Sequence, residues 1–163
     1  MQNNAKAPII VETHLVITEV IDGDSIKVAS IFNKDEKEIR LYGIDCPENK
    51  YNRKMVEDEK KLHTPAEFLL GLGQQAHKFV LSVAPVGMSI TLQIEKGNEL
   101  DHYKRHLAYV ILPDGSCLNE IIVAKGYARA TGDYFCEELP KYQALQLRAM
   151  QNKQGLYKYI SRL

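Results

Sequence analysis

Apolar and polar positions alternate along the first third of this chain, and helical spacing takes over later. From His14 to Ile21, Leu15, Ile17 and Val20 share one face and predict a strand that turns at Asp22-Gly23. Ser25 to Phe32, with Ile26, Val28 and Ile31, predicts a second strand, and Asn33 to Glu36 a polar turn. Glu38 to Ile44 predicts a third, stopped by Asp45-Cys46-Pro47. Pro47 has no N–H for a ladder and biases Cys46 away from helical angles. Asn49 to His63 is polar, dense in charge, and reads as a loop. Thr64 suits an N-cap and Pro65 the first helical position. Helical spacing then runs from Ala66 to Val83 through Phe68, Leu69, Leu72, Ala76, Phe79 and Val80, with Gly71 and Gly73 predicting a break into two pieces. Ser89 to Glu95 and Leu107 to Leu112 predict two more strands. Leu118 to Lys125 predicts a short helix closed by Gly126, and Pro140 to Gln154 a last helix with Leu145, Ala149 and Met150 inward.

Five strands with one long helix between the third and fourth predict an α+β fold that is mainly β. The expected architecture is a five-stranded Greek-key barrel of the OB type with about three helices. Closure removes the exposed edges that five open strands would present. Residues 14–163 read as one domain behind a flexible N-terminal segment, 1–13. A chain of 163 residues can bury a real core. With 45% apolar and 26% charged residues it has the composition of a globular domain, and no run approaches the ~18 apolar residues of a membrane span. No membrane association is expected, and no signal peptide is visible in the polar stretch Met1 to Pro8.

Charge and cysteine content narrow the picture further. Twenty-one basic and 21 acidic residues cancel, which argues against strong non-specific nucleic-acid binding while leaving room for a local basic groove. Cys46, Cys117 and Cys136 are too few for a disulfide framework and too far apart for a zinc motif, so three reduced thiols are expected.

The chemistry concentrates in two acidic clusters at strand ends. One is Ile21-Asp22-Gly23-Asp24-Ser25 and the other runs from Ile39 through Arg40 and Asp45 to Glu48. A core position cannot use Asp24, Arg40, Asp45 and Glu48 together, because each unpaired buried charge is costly. Carboxylate oxygens suit Ca²⁺ or Mg²⁺, and a guanidinium suits a phosphate beside the ion. Asp22 itself reads better as a turn residue than as a ligand. A third cluster, Asp101-His102-Tyr103-Lys104-Arg105, precedes the fifth strand. Alone it would be a solvated loop; beside the acids, Arg105 and Arg40 could grip one phosphate from two sides.

These three segments, in order, resemble the signatures of the staphylococcal nuclease (thermonuclease) family. Leu118-Asn119-Glu120 to Gly126-Tyr127-Ala128 is similar to the family's following helix, and Gly155-Leu156-Tyr157 to its closing Gly-Leu-Trp. The likeness spans about residues 14 to 157. It implies an OB-fold, calcium-dependent phosphodiesterase that cuts DNA and RNA, preferring single-stranded or locally unpaired substrate, and leaves 3′-phosphate ends. By position, Asp24 and Asp45 would ligate Ca²⁺ through their side chains and Cys46 through its backbone carbonyl. Glu48 would hold or deprotonate the attacking water. Arg40 and Arg105 would bind the scissile phosphate. Tyr103 and Tyr134 match tyrosines of the nucleotide pocket, with His102 and Lys104 beside them. The resemblance also implies a monomer that is secreted or periplasmic.

Departures from the family pattern carry expectations of their own. His102 stands for a Lys and Lys104 for a Gly, which moves the phosphate-binding charge by two residues. Gly132 replaces a pocket tyrosine. The loop residues Lys50, Arg53 and Lys54 are as well explained by a solvated charge run as by phosphate contact. Zero net charge predicts weaker, more salt-sensitive substrate binding than a basic nuclease would show. The competing function class is a catalytically weak or inactive binding module for nucleic acid or protein on the same barrel. Such a module has no reason to keep Asp24, Arg40, Asp45, Glu48 and Arg105 together.

Overall fold

The computed structural model describes residues 7–50, 60 and 65–163. Seven strands and three helices follow one another among them: β1 (Ile9–Asp22), β2 (Ser25–Ser30), β3 (Glu36–Leu41), β4 (Ile44–Asp45), α1 (Ala66–Val83), β5 (Ser89–Glu95), β6 (His106–Ile111), α2 (Leu118–Ala124), β7 (Arg129–Ala130) and α3 (Leu139–Gln151). Five of the strands close a barrel in the order β1-β2-β3-β6-β5, and β4 and β7 form a separate two-stranded ribbon. All barrel pairings are antiparallel except β3 with β6. A parallel pair needs a long crossover, and α1 with β5 lies within it. This is the five-stranded α+β barrel that the alternation predicts.

β1 closes the barrel because it serves two neighbours. Its first half pairs with β5 (Ile9↔Glu95 to Val16↔Ser89) and its second half with β2 (Leu15↔Ser30 to Asp22↔Ser25). The register slips between Glu12 and Leu15, where His14 takes a left-handed φ of 60°. Such an insertion bends the strand and resets which side chains point inward. The alternation therefore breaks at His14. Residues 9–13, expected in the flexible segment 1–13, are strand paired with β5.

Inward residues of every barrel strand meet in one core. Ile17, Ile26, Val28, Ile39, Leu92 and Val110 are at most 1% exposed. Burying each such side chain is worth ~1.5–3 kcal/mol. α1 lays Leu69, Leu72, Ala76 and Val80 on this core as one continuous helix, so the expected break at Gly71 and Gly73 does not occur. Pro65 stands at its N-cap rather than in its first turn. Thr64, Arg53, Lys54 and most of the charged stretch 49–63 lie outside the described residues. In α3 the buried anchors are Tyr142 and Ala149, with Leu145 packed at the margin. Cys46, Cys117 and Cys136 are free thiols, as expected.

Candidate active site

The β1–β2 hairpin delivers the first acid. Asp22 Oδ1 accepts the Asp24 N–H at 3.0 Å, the self-bonding of a turn aspartate, which is the role expected of Asp22. Gly23 lets this turn lie against the next segment, because a Cβ there would fall 2.5 Å from Cys46 Sγ. Asp24 is 6% exposed and its Oδ2 accepts the Cys46 N–H at 2.8 Å. This bond from backbone to side chain joins the two acidic clusters and holds Cys46 beside Asp24.

Arg40 joins the two aspartates. One nitrogen, Nη2, lies 3.3 Å from Asp24 Oδ2 and 3.3 Å from Asp45 Oδ1. Its other terminal nitrogen donates to the carbonyls of Leu41 and Ile44, at 2.9 and 2.8 Å. The Tyr134 ring covers the guanidinium face at 3.8 Å. Burial works against the charge of Arg40, but Asp24 and Asp45 outweigh it and hold its pKa above the usual value.

A second arginine approaches Tyr134 from the loop before β6. Asp101 shapes that loop: its Oδ1 accepts the N–H groups of Tyr103 and Arg105, and its Oδ2 holds Arg105 Nε at 2.7 Å. Arg105 Nη2 donates to the Tyr134 hydroxyl at 3.1 Å. Burial opposes the Asp101 charge, yet the bonds from Arg105 outweigh it and keep the carboxyl below its usual range. Tyr103 is 77% exposed with the Arg105 guanidinium 5.5 Å from its ring centre, and His102 and Lys104 are exposed beside it. Arg40, Arg105, Asp24, Asp45, Tyr103 and Tyr134 therefore form one constellation.

Glu48 enters from the segment after β4 and is partly buried. α1 packs so tightly there that a Cβ on Gly73 would lie 1.9 Å from the Glu48 carbonyl oxygen. Asn49 anchors the same stretch by donating to the Ile21 carbonyl at 3.0 Å. The Cys46 thiol is buried against Gly23, and burial, then Asp24, pushes its pKa well up, so it is unreactive.

Two residues at the site had escaped the sequence reading. Arg129 in β7 lies directly across from Asp45 in β4, with Nη2 2.9 Å from Asp45 Oδ2. It belongs to a two-residue strand, too short for periodicity to mark. Phe135 is 60% exposed, and its carbonyl accepts from Asn98 Nδ2 at 2.7 Å, tying the Tyr134 segment to the loop after β5. A lone aromatic carries no spacing signal.

The donor chemistry can be tested against a hard cation. Among the described residues no three His, Cys, Asp or Glu side chains group closely enough to hold a metal. Asp24 and Asp45 nevertheless converge on a single positive group, Arg40 Nη2. Burial, then the charge of Asp24, pushes the Asp22 carboxyl up to about 8, a sign of crowded negative charge. The set fits an oxygen-ligated ion held by two carboxylates and completed by backbone and water, not a closed protein cage.

The chain is a closed five-stranded OB barrel that gathers Asp24, Asp45, Arg40 and Arg105 around Tyr134. The family described as staphylococcal nuclease homologue matches residues 38–159, and the chain belongs to it. Endonuclease YhcR of Bacillus subtilis (strain 168) is 30% identical over 87% of this chain but only 11% of its own length. Endonuclease YncB of the same organism is 30% identical over 79% of this chain and 52% of its own. An uncharacterized endonuclease of Escherichia coli O157:H7 is 28% identical over 90% of this chain and 78% of its own. The chain thus spans about half or less of the first two relatives.

Proposed function

We propose that this chain is a calcium-dependent nuclease that hydrolyses phosphodiester bonds of DNA and RNA and leaves 3′-phosphate ends. The observation that carries the reading is the convergence of two aspartates on Arg40, with Arg105 reaching the same Tyr134. Relatives named as endonucleases support it. Asp24, Asp45 and the Cys46 carbonyl would hold the calcium ion, which when bound neutralises a phosphate oxygen and polarises phosphorus.

The remaining work falls to side chains. Glu48 holds a water and accepts its proton as the oxygen attacks phosphorus. The bond from phosphorus to the 5′-oxygen breaks, that oxygen takes a proton from solvent and leaves as the 5′-hydroxyl, and phosphate stays on the 3′ side. Charge grows on the equatorial oxygens, and the positive charges held at Arg40 and Arg105 stabilise it. Arg40 is already pinned by two carbonyls, so it needs little reorganisation. Tyr103 and Tyr134 line the nucleotide pocket, flanked by His102 and Lys104. An exposed tyrosine tip suits the unstacked bases of a single strand.

One observation favours the binding-module reading. The Arg40 side chain is 3% exposed and already engaged by both aspartates. Digestion of single-stranded DNA by wild type and Glu48→Gln, each with Ca²⁺, Mg²⁺ or EDTA, separates the two. We expect cleavage in Ca²⁺ alone, reduced at least ~10²-fold in the variant, the scale of losing one transition-state contact. No cleavage by folded wild type in any metal would move the binding module to first place.

A further inference from the structure

Asp45 is held from two sides by arginines of different character. Its Oδ1 faces Arg40 and its Oδ2 faces Arg129, at 3.3 and 2.9 Å. Arg40 is 3% exposed and fastened to the backbone, so it cannot leave without stranding buried charge. The Arg129 side chain is 35% exposed and comes from the β4–β7 ribbon, outside the barrel wall. It can turn to solvent while the ribbon keeps its backbone in register with Asp45.

We propose that Arg129 is a counter-charge that competes with the cation for Asp45 and, once displaced, turns to a phosphate of the substrate. This rests on the calcium reading above. An N–H bonded to Oδ2 takes one of that oxygen's lone pairs and draws down the negative charge a cation would use. A guanidinium within a few ångströms also repels a divalent ion. Released, the same group offers a fork that fits phosphate oxygens. Arg129 is therefore a positioning residue that sets cation affinity and couples it to substrate affinity. Coupling of this kind is reciprocal: substrate that draws Arg129 away tightens the cation.

The test is Ca²⁺ titration by calorimetry on the full chain, without nucleic acid, for wild type, Arg129→Gln, Arg129→Lys and Asp45→Asn. Thermal unfolding in EDTA checks that each variant is folded. We expect Arg129→Gln to bind Ca²⁺ roughly two- to fivefold tighter than wild type, the scale of removing a partly exposed charge partner. Arg129→Lys, which keeps the charge, should stay near wild type, and Asp45→Asn should bind far more weakly. At saturating Ca²⁺, Arg129→Gln should bind a short single-stranded oligodeoxynucleotide more weakly than wild type. Should the glutamine variant not fold, Arg129→Met, which keeps the apolar stem, serves in its place. Ca²⁺ affinity unchanged or lowered in the charge-removing variant overturns the inference while leaving the calcium reading intact. Absence of Ca²⁺ binding by wild type overturns both.

Discussion

Asp22 carries the clearest sign of stored charge at the site. Its carboxyl is raised from 3.8 to about 8, first by burial and then by Asp24. Between those values the folded chain holds a proton that the unfolded chain has released. Stability therefore falls as pH rises from about 4 to about 8, with a slope of at most ~1.4 kcal/mol per pH unit. In EDTA, Asp22→Asn should flatten this slope and gain stability over wild type at pH 8. Equal slopes for both, measured by denaturant unfolding at pH 5 to 8, would contradict the assignment. At Lys104 the backbone explains a departure from the family pattern. Its φ is 62°, the left-handed region that glycine occupies freely and other residues occupy at a cost of ~1–2 kcal/mol. Asp101, which accepts the N–H groups of Tyr103 and Arg105, holds the turn in this shape.

Among the elements, α1 does more than cover the barrel. Gly73 lets the helix approach the chain at Glu48, whereas a Cβ on Gly71 would meet open space. Both glycines weaken a helix by ~1 kcal/mol relative to alanine, yet packing keeps α1 unbroken. Gly71→Ala should therefore stabilise by up to ~1 kcal/mol and leave cleavage unchanged. Gly73→Ala should destabilise by ~1–3 kcal/mol, as overpacking does, and lower cleavage by displacing Glu48. Denaturant midpoints and kcat on the pair provide the check; equal behaviour would show that the close approach does not hold Glu48. A buried network on the other side of the site acts likewise. Glu95 accepts from the Tyr109 hydroxyl and from the Glu137 N–H, so β5, β6 and the start of α3 are joined. Asn98 then ties the following loop to Phe135, beside Tyr134. Arg105 and Tyr134 thus meet on fastened loops.

For the chain as a whole, zero net charge means that a polyanion feels no net long-range attraction. Attraction falls to the few cations at the site, Arg105 and Lys104 among them, with Arg129 joining when displaced. Four phosphate contacts on a single strand, from Arg40, Arg105, Lys104 and Arg129, predict a slope of log affinity against log salt near −3. Binding of an oligodeoxynucleotide followed from 50 to 300 mM salt reads this directly. A slope near zero would mean that phosphate contacts do not carry the binding.

Much of this protein is legible in its sequence because local rules and global fold agree. Period-2 alternation marks β5, where Ile90, Leu92 and Ile94 are buried, whereas β3 and β6 carry consecutive buried residues and are read from their apolar content and bounding turns. The grouping of Asp24, Arg40 and Asp45 is readable too, because buried charges are costly unless they meet, as these do at Arg40 Nη2. Tertiary structure alone decided the rest. The left-handed His14 shifts the register of β1, and no propensity scale predicts that. Gly73 is tolerated through a contact with residues far along the chain. Arg129, 84 positions from Asp45, becomes its neighbour only when β7 pairs with β4. Sequence patterns record what each segment needs from its own neighbours. Which distant charge meets a carboxylate, as Arg129 meets Asp45, is set by closure of the fold.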